Sequence, residues 1–392
     1  MYNRYMDKKV NKIGIFGGAF DPPHISHIEM AKSIAIERGY TKMVILPSKT
    51  PPHKKLQTTS EDRFSMLRRA FSSDFVISDI ELNYDGIGYA YNYIPLLKEA
   101  YGENIEYIIG GDSIVNFDKW YRYQDVLNMV DIVVIARDND RKIAQEYIDK
   151  FRKLTHKSIV LSDIIPKSMS STDIRNMIRL HLSVDKYLPN GVLNYIRENN
   201  LYNEYGDKVE KLKSTLDSDR FNHSINTCLY ALKFVKKYNL DYNKVFLASL
   251  LHDCAKYKDI DREKYIEYAK VHCPEYIVED APRPVEHAFL GAIVAMCDYG
   301  IEDKEILDAI FYHTTASSSM SILSKLIYSA DVLEPTRDYE GVEDLRKIFD
   351  KDLEKGFVEC LSTGYEHLKY LNNEIYYLTE IAYNHYVKGE NK

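Results

Sequence analysis

An excess of positive charge, long apolar runs and paired cysteines are all missing from this chain. Across 392 residues, 52 Lys and Arg face 59 Asp and Glu, a formal net charge of -7. Nucleic-acid binders need a basic face to displace counterions, so no nucleic-acid partner is expected. No segment offers the uninterrupted apolar span of a membrane helix, and the polar start MYNRYMDKKVNK has no signal-peptide core. The expectation is a cytoplasmic protein without a membrane partner. All five cysteines (Cys228, Cys254, Cys273, Cys297, Cys360) lie in the second half and none forms a C-x-x-C pair, so they read as reduced packing thiols. Tryptophan is nearly absent, with Trp120 alone.

What is present is globular: 45% hydrophobic and 28% charged residues, in a length comfortable for two domains. In the first half, strand-like runs (Lys12–Phe16, Met43–Leu46, Phe75–Leu82, Ile105–Gly110, Ile132–Ala136) alternate with helical patterns, one from about Ile28 and another after Ser60. Such alternation predicts an α/β fold with a doubly wound parallel sheet and ligands at the carboxyl ends of its strands. The residues with chemistry fall at those ends. Ile13–His27 reads IGIFGGAFDPPHISH: Gly17 and Gly18 let backbone approach a polyphosphate, Phe20 follows, and His24 and His27 stand three apart at a helix entrance where free N–H groups favour anions. Pro51-Pro52-His53-Lys54 offers a cation after the second run, against the alternative of a solvated loop. Gly110-Gly111-Asp112-Ser113 offers a carboxylate for the nucleotide or its magnesium, or merely a helix cap; Arg137 ends the next run. Met169–Arg175 (MSSTDIR) is a helix start whose Ser170, Ser171, Thr172 and Arg175 cap the helix and suit a second anion. Trp120 on its own reads as core filling.

These motifs together resemble bacterial nicotinate-nucleotide adenylyltransferases of the nucleotidyltransferase superfamily, over Lys12 to about Tyr202. The resemblance implies a Rossmann-like fold and transfer of AMP from ATP, with Mg2+, to nicotinate mononucleotide, giving deamido-NAD and pyrophosphate. It implies that His24, His27 and the SSTDIR segment hold ATP phosphates and that Tyr89 and Trp120 meet the pyridine nucleotide. Two departures stand out: Ser26 replaces the family's glycine before the second histidine, and Gly88-Tyr89-Ala90-Tyr91-Asn92-Tyr93-Ile94 replaces S-Y-T-x-D-T-L, which bears on the choice between acid and amide pyridine.

From about Glu204 the pattern becomes helical, as in Arg220–Tyr238, Tyr242–Tyr257, Val285–Tyr299 and Met320–Leu333, so residues 1–203 and 204–392 are expected as an adenylyltransferase domain and an all-α domain. His223, His252-Asp253, His287, His313 and Asp331 are spread one site per helix or helix end. Any one alone is an ordinary histidine or carboxylate. His252-Asp253 sits in an apolar helical pattern, LASLLHDCAK, where a buried carboxylate needs a partner such as a divalent ion; imidazole with carboxylate suits iron, manganese or zinc. The order resembles the HD phosphohydrolases, and RFNHS, LLHDCAK, AIFYHTT and YSADVLEPTR resemble the YqeK family, which splits diadenosine tetraphosphate into two ADP using iron. That resemblance implies two divalent ions, Fe or alternatively Mn, with His223, His252, Asp253 and Asp331 on one and Asp253 bridging to the other on His287 and His313. Lys256 and Arg337 are phosphate candidates, or solvated residues. Nucleotides (ATP, nicotinate mononucleotide, diadenosine tetraphosphate) are thus the expected partners. Another nucleotide substrate, or a sensing module without turnover, stays open for the second half, and so does a homo-oligomer.

Overall fold

The computed structural model describes residues 11–49, 56–167, 169–279 and 281–390, and the chain divides into two compact units, Met1–Glu204 and Tyr205–Lys392. The PPHK stretch, with Lys54, lies outside the described residues.

Unit 1 holds six strands, β1 Ile13–Gly18, β2 Lys42–Pro47, β3 Phe75–Ile77, β4 Ile105–Gly110, β5 Asp131–Ile135 and β6 Ile159–Leu161. Its helices are α1 Ile25–Arg38, α2 Ser60–Ala70, α3 Ala90–Tyr101, α4 Gly111–Val115, α5 Tyr123–Met129, α6 Arg141–Arg152, α7 Ser171–Arg179 and α8 Asn190–Glu198. The sheet order is β3-β2-β1-β4-β5-β6, with every pair parallel. Because successive side chains point to opposite faces, Ile13, Ile15, Tyr107 and Val134 enter one core and Phe16, Ile108 and Val133 the other. Both faces are covered, which is why the strands read as continuous apolar runs. The strand order switches sides at β1, with β2 and β3 laid to one side and β4 to β6 to the other, so the topological switch point falls at the carboxyl ends of β1 and β4. A third cluster, with Met66, Ile174, Val192 and Tyr202, packs the last part of the unit onto α2.

Three expectations change. β3 ends at Ile77 because Ser78 and Glu81 turn inward as buried polar groups instead of continuing an apolar run. The first helix starts at Ile25, with His24 as its N-cap, rather than near Ile28. The three-residue β6 was too short to leave a pattern.

Unit 2 carries ten helices and no strand among its described residues: α9 Gly206–Thr215, α10 Ser218–Leu232, α11 Tyr242–Leu251, α12 Arg262–His272, α13 Arg283–Tyr299, α14 Lys304–Phe311, α15 Ile322–Leu333, α16 Val342–Lys351, α17 Leu353–Tyr370 and α18 Tyr377–Tyr386. Asp217, Asp241, Asp303 and Ser321 cap α10, α11, α14 and α15 by accepting backbone N–H groups of the first turn. One placement is corrected: α11 stops at Leu251, so His252 is its C-cap and Asp253 stands in the turn beyond, not inside the helix. The turn frees both side chains from the helix surface. All five cysteines are free thiols, four of them buried. No described helix is long and apolar enough to cross a membrane.

Candidate active sites

The crevice of unit 1 is built on close approaches. A Cβ on Gly17, near the end of β1, would lie 2.8 Å from the Tyr107 hydroxyl, and one on Gly111 would lie 3.0 Å from the Ala136 Cβ, so a larger residue at either place would have to displace its neighbour. Phe20 is buried with a φ of 50°, and its ring meets His27 edge-on at 5.0 Å. The His24 and His27 ring centroids lie 3.7 Å apart, with the rings tilted by 30°. The His24 backbone N–H donates to His27 Nδ1 at 3.3 Å, so a neutral His27 carries its proton on Nε2. His24 is 3% exposed, its Nδ1 lacks a hydrogen-bond partner, and burial pulls its pKa down to about 4.

α7 arrives from the other end of the unit. Ser170 and Asp173 form a capping box, the Ser171 hydroxyl donates to the Pro22 carbonyl at 2.9 Å, and Arg175 donates to the Asp21 carbonyl at 2.6 Å and to Thr172 Oγ1 at 3.1 Å. The helix N-terminus is thereby fixed beside the first motif. Asp112 is exposed in the first turn of α4 and its side chain caps nothing; Arg137 is exposed past β5. Trp120 is half-buried, stacked on Phe117 at 4.6 Å and packed on the core. Tyr89, N-cap of α3, stacks at 4.8 Å on Tyr121, the residue after Trp120, so the two pyridine candidates lie close to one another.

Three residues of this site escaped the sequence reading. Asp21, 2% exposed, accepts from the Gln57 N–H, the Thr58 hydroxyl and the Tyr202 hydroxyl, each at 2.7 Å. Arg63, with no exposure, donates to the carbonyls of Ala19 at 3.1 Å and Ser48 at 2.6 Å, tying the loops after β1 and β2 together. Glu81 accepts the Lys49 N–H at 2.9 Å, and burial pushes its pKa up to about 7. Asp21 stood within the quoted motif; the other two carried no local signal.

In unit 2 the structure brings all six expected metal ligands together. His223 Nε2 lies 2.8 Å from Asp331 Oδ1 and 3.2 Å from His252 Nε2. Nε2 of His287 and of His313 each lie 3.4 Å from Asp253 Oδ1. The donor atoms of His223, His252 and Asp331, and those of His252, Asp253 and His313, lie within 4.8 Å of one another. Asp253 Oδ1, His287 Nε2 and His313 Nε2 are buried without a hydrogen-bond partner, which is costly for polar atoms unless a cation completes them. The donor set therefore fits divalent transition metals, and too few oxygens are present for calcium.

The ring orientations agree. His252 Nδ1 bonds the Ser249 carbonyl at 2.8 Å and His313 Nδ1 the Ile310 carbonyl at 2.6 Å, leaving each Nε2 for the centre. Burial lowers the pKa of His252 to about 4 and that of His287 below its ordinary value. Asp253 and Asp331 are held far below the usual carboxylate range: burial opposes this, but the surrounding imidazoles outweigh it. At His223 burial is outweighed by the bond to Asp331, which raises its pKa. Two cations flank the centre, Lys256 at 3.2 Å from Asp253 Oδ2 and Arg337 at 2.7 Å from Asp331 Oδ1.

The two histidines and the α7 N-terminus gathered at the switch point of a doubly wound sheet, and a histidine-carboxylate centre in a helical unit, define a nucleotidyl-transfer domain joined to a metal-dependent HD domain. Residues 15–177 match the cytidylyltransferase-like family and residues 220–336 the HD domain family. A probable nicotinate-nucleotide adenylyltransferase/Ap4A hydrolase of Mycoplasma genitalium is 27% identical over 89% of this chain and 97% of its own length. The nicotinate-nucleotide adenylyltransferase of Bacillus subtilis is 32% identical, covering 49% of this chain and 99% of that protein. The symmetrical bis(5'-nucleosyl)-tetraphosphatase of Bacillus subtilis is 30% identical, covering 45% of this chain and 95% of that protein. The chain belongs to the nicotinate-nucleotide adenylyltransferase family through its first half and to the symmetrical HD tetraphosphatase family through its second.

Proposed function

We propose that the chain is a bifunctional enzyme. Its first unit, Met1–Glu204, transfers AMP from ATP to nicotinate mononucleotide, and its second, Tyr205–Lys392, hydrolyses diadenosine tetraphosphate to two ADP. The observation that supports the reading most is the cluster of His223, His252, Asp253, His287, His313 and Asp331 on the same chain as a helix start, Ser171 to Arg175, bonded to the first motif.

In the first reaction a phosphate oxygen of the mononucleotide bonds to the α-phosphorus of ATP while the bond to the β-phosphate oxygen breaks and pyrophosphate leaves. Catalysis is positioning with charge stabilisation. Gly17 and Gly18 admit the triphosphate, His24 and His27 bind its oxygens, and Ser171, Thr172 and Arg175 at the α7 N-terminus hold the departing pyrophosphate. Gly111, Asp112 and Arg137 border the nucleotide from β4 and β5, Phe20 walls it, and Mg2+ would offset the charge of its phosphates when bound. Tyr89 and Trp120 supply aromatic surface for the pyridine.

In the second reaction a water oxygen bonds to an inner phosphorus and the central phosphoanhydride breaks, releasing ADP on each side. Two divalent ions, iron or alternatively manganese, acidify the water and offset phosphate charge when bound. His223, His252 and Asp331 would hold one and His287 and His313 the other, with Asp253 available to both. Lys256 and Arg337, beside Asp253 and Asp331, bind phosphate oxygens in this reading.

Product analysis with the iron- or manganese-loaded full chain and diadenosine tetraphosphate tests the hydrolysis. ADP alone is expected; AMP with ATP, or no turnover, overturns it. Asp253→Ala should abolish hydrolysis and leave nicotinate-mononucleotide adenylylation unchanged.

A further inference from the structure

His223 differs from His252 and His313 in what stands behind it. The Nδ1 atoms of His252 and His313 are anchored by backbone carbonyls, which are neutral. His223 Nδ1 instead faces the carboxylate of Glu334, with Oε1 at 3.2 Å. Glu334 is 1% exposed and is the C-cap of α15, three residues after Asp331, so one turn of chain brings carboxylates to the two nitrogens of the same ring. A carboxylate buried to this degree must be bonded. The Thr336 N–H donates to Oε2 at 2.8 Å and the Thr336 hydroxyl to Oε1, while Arg346 donates to the Glu334 carbonyl at 2.8 Å and the Arg337 carbonyl at 2.7 Å, locking the turn.

We infer that Glu334 is a positioning residue for the metal centre: it holds the proton of His223 on Nδ1 and aims Nε2 at the ion shared with His252 and Asp331. A carboxylate behind an imidazole fixes its orientation and strengthens it as a donor, whereas a carbonyl supplies orientation with less charge. The two ions are therefore held unequally, with Glu334 supporting only the one on His223. The inference rests on the ligand assignment proposed above.

The test strips the full chain of metal and titrates it with Mn2+ alone, reading free ion by electron paramagnetic resonance, for wild type, Glu334→Gln, Glu334→Ala and His223→Ala. Glu334→Gln keeps the size and an acceptor but removes the charge. It should weaken one of the two ions by roughly 10- to 100-fold, leave the other unchanged, and leave the melting temperature of the metal-free protein unchanged. Wild-type affinity for both ions in the Gln and Ala variants, beside loss of an ion in His223→Ala, overturns the role of Glu334. A fall in metal-free melting temperature with unchanged affinity overturns it too, since Glu334 would then serve only the fold. Wild-type binding in His223→Ala removes the ligand assignment itself.

Discussion

Asp21 offers the sharpest perturbation of unit 1, because its two oxygens have different tasks. Oδ1 accepts from the hydroxyls of Thr58 and Tyr202, and Oδ2 accepts from the Gln57 N–H. In Asp21→Asn the amide carbonyl can replace Oδ1, but the NH2 group then faces the Gln57 N–H, donor against donor. One bond is lost and a buried donor is stranded, costing about 1–3 kcal/mol. Asp21→Ala loses all three bonds in a site with 2% exposure, and about 3–5 kcal/mol is expected, since bonds to a charged acceptor contribute ~1.5–3 kcal/mol each and do not add fully. Tyr202→Phe, which removes one bond, should cost about 1 kcal/mol. The assay is urea unfolding followed by tryptophan fluorescence: Trp120 is the only tryptophan and belongs to unit 1, so the signal reports that unit alone. The KM for ATP should rise in the same order, because Asp21 anchors residues 57–58 to the phosphate motif. An Asn variant as stable as wild type, with an Ala variant less than about 1 kcal/mol weaker, would show that Asp21 anchors nothing.

Two further outcomes follow from the same crevice. The pKa of His24 is about 4 in the folded protein against 6.5 when unfolded, so the unfolded chain binds more protons between those values and the contribution of His24 to stability is lost as pH falls from 6.5 towards 4. Unfolding of unit 1 should become roughly 2 kcal/mol easier between about pH 7 and pH 5, and His24→Asn should flatten this slope; an equal slope in the variant refutes it. Gly17→Ala places a methyl against the buried Tyr107 hydroxyl, costing about 1–3 kcal/mol. Tyr107→Phe should restore part of that loss, and additive effects of the two changes would contradict the contact.

Elements with a strong period were legible: the strands of the central sheet, the helices of unit 2 and the change of pattern near Glu204 follow from apolar spacing. His252 and Asp253 were legible because a carboxylate is unusual in apolar surroundings, and the other ligands only through the order of the set, which resembles the HD phosphohydrolases. What stayed hidden depends on long-range burial. Arg63 lies in SEDRFSMLRRA, where arginines read as a solvated face, yet this one is buried beneath two loops. Glu81 continued a strand-like run on paper and is instead a buried acceptor for a distant N–H. Glu334 read only as part of a helix stop before Pro335, because nothing local reveals that His223, 111 positions away, lies against it. Helix ends shifted by a few residues for a similar reason: capping side chains, not apolar spacing, decide where they fall.

The bond between Tyr202 and Asp21 joins residues 181 positions apart, and Ser171 and Arg175 reach back to Pro22 and Asp21 over comparable stretches. On the ribosome this sets an order of events. The nucleotide crevice stays unfinished until nearly the whole of unit 1 has emerged, because its first motif waits for the segment that closes it. That segment ends two residues before Glu204, the last residue of the unit, so the first site can close as soon as its own sequence is free of the exit tunnel, while the ligands of the second are still being translated.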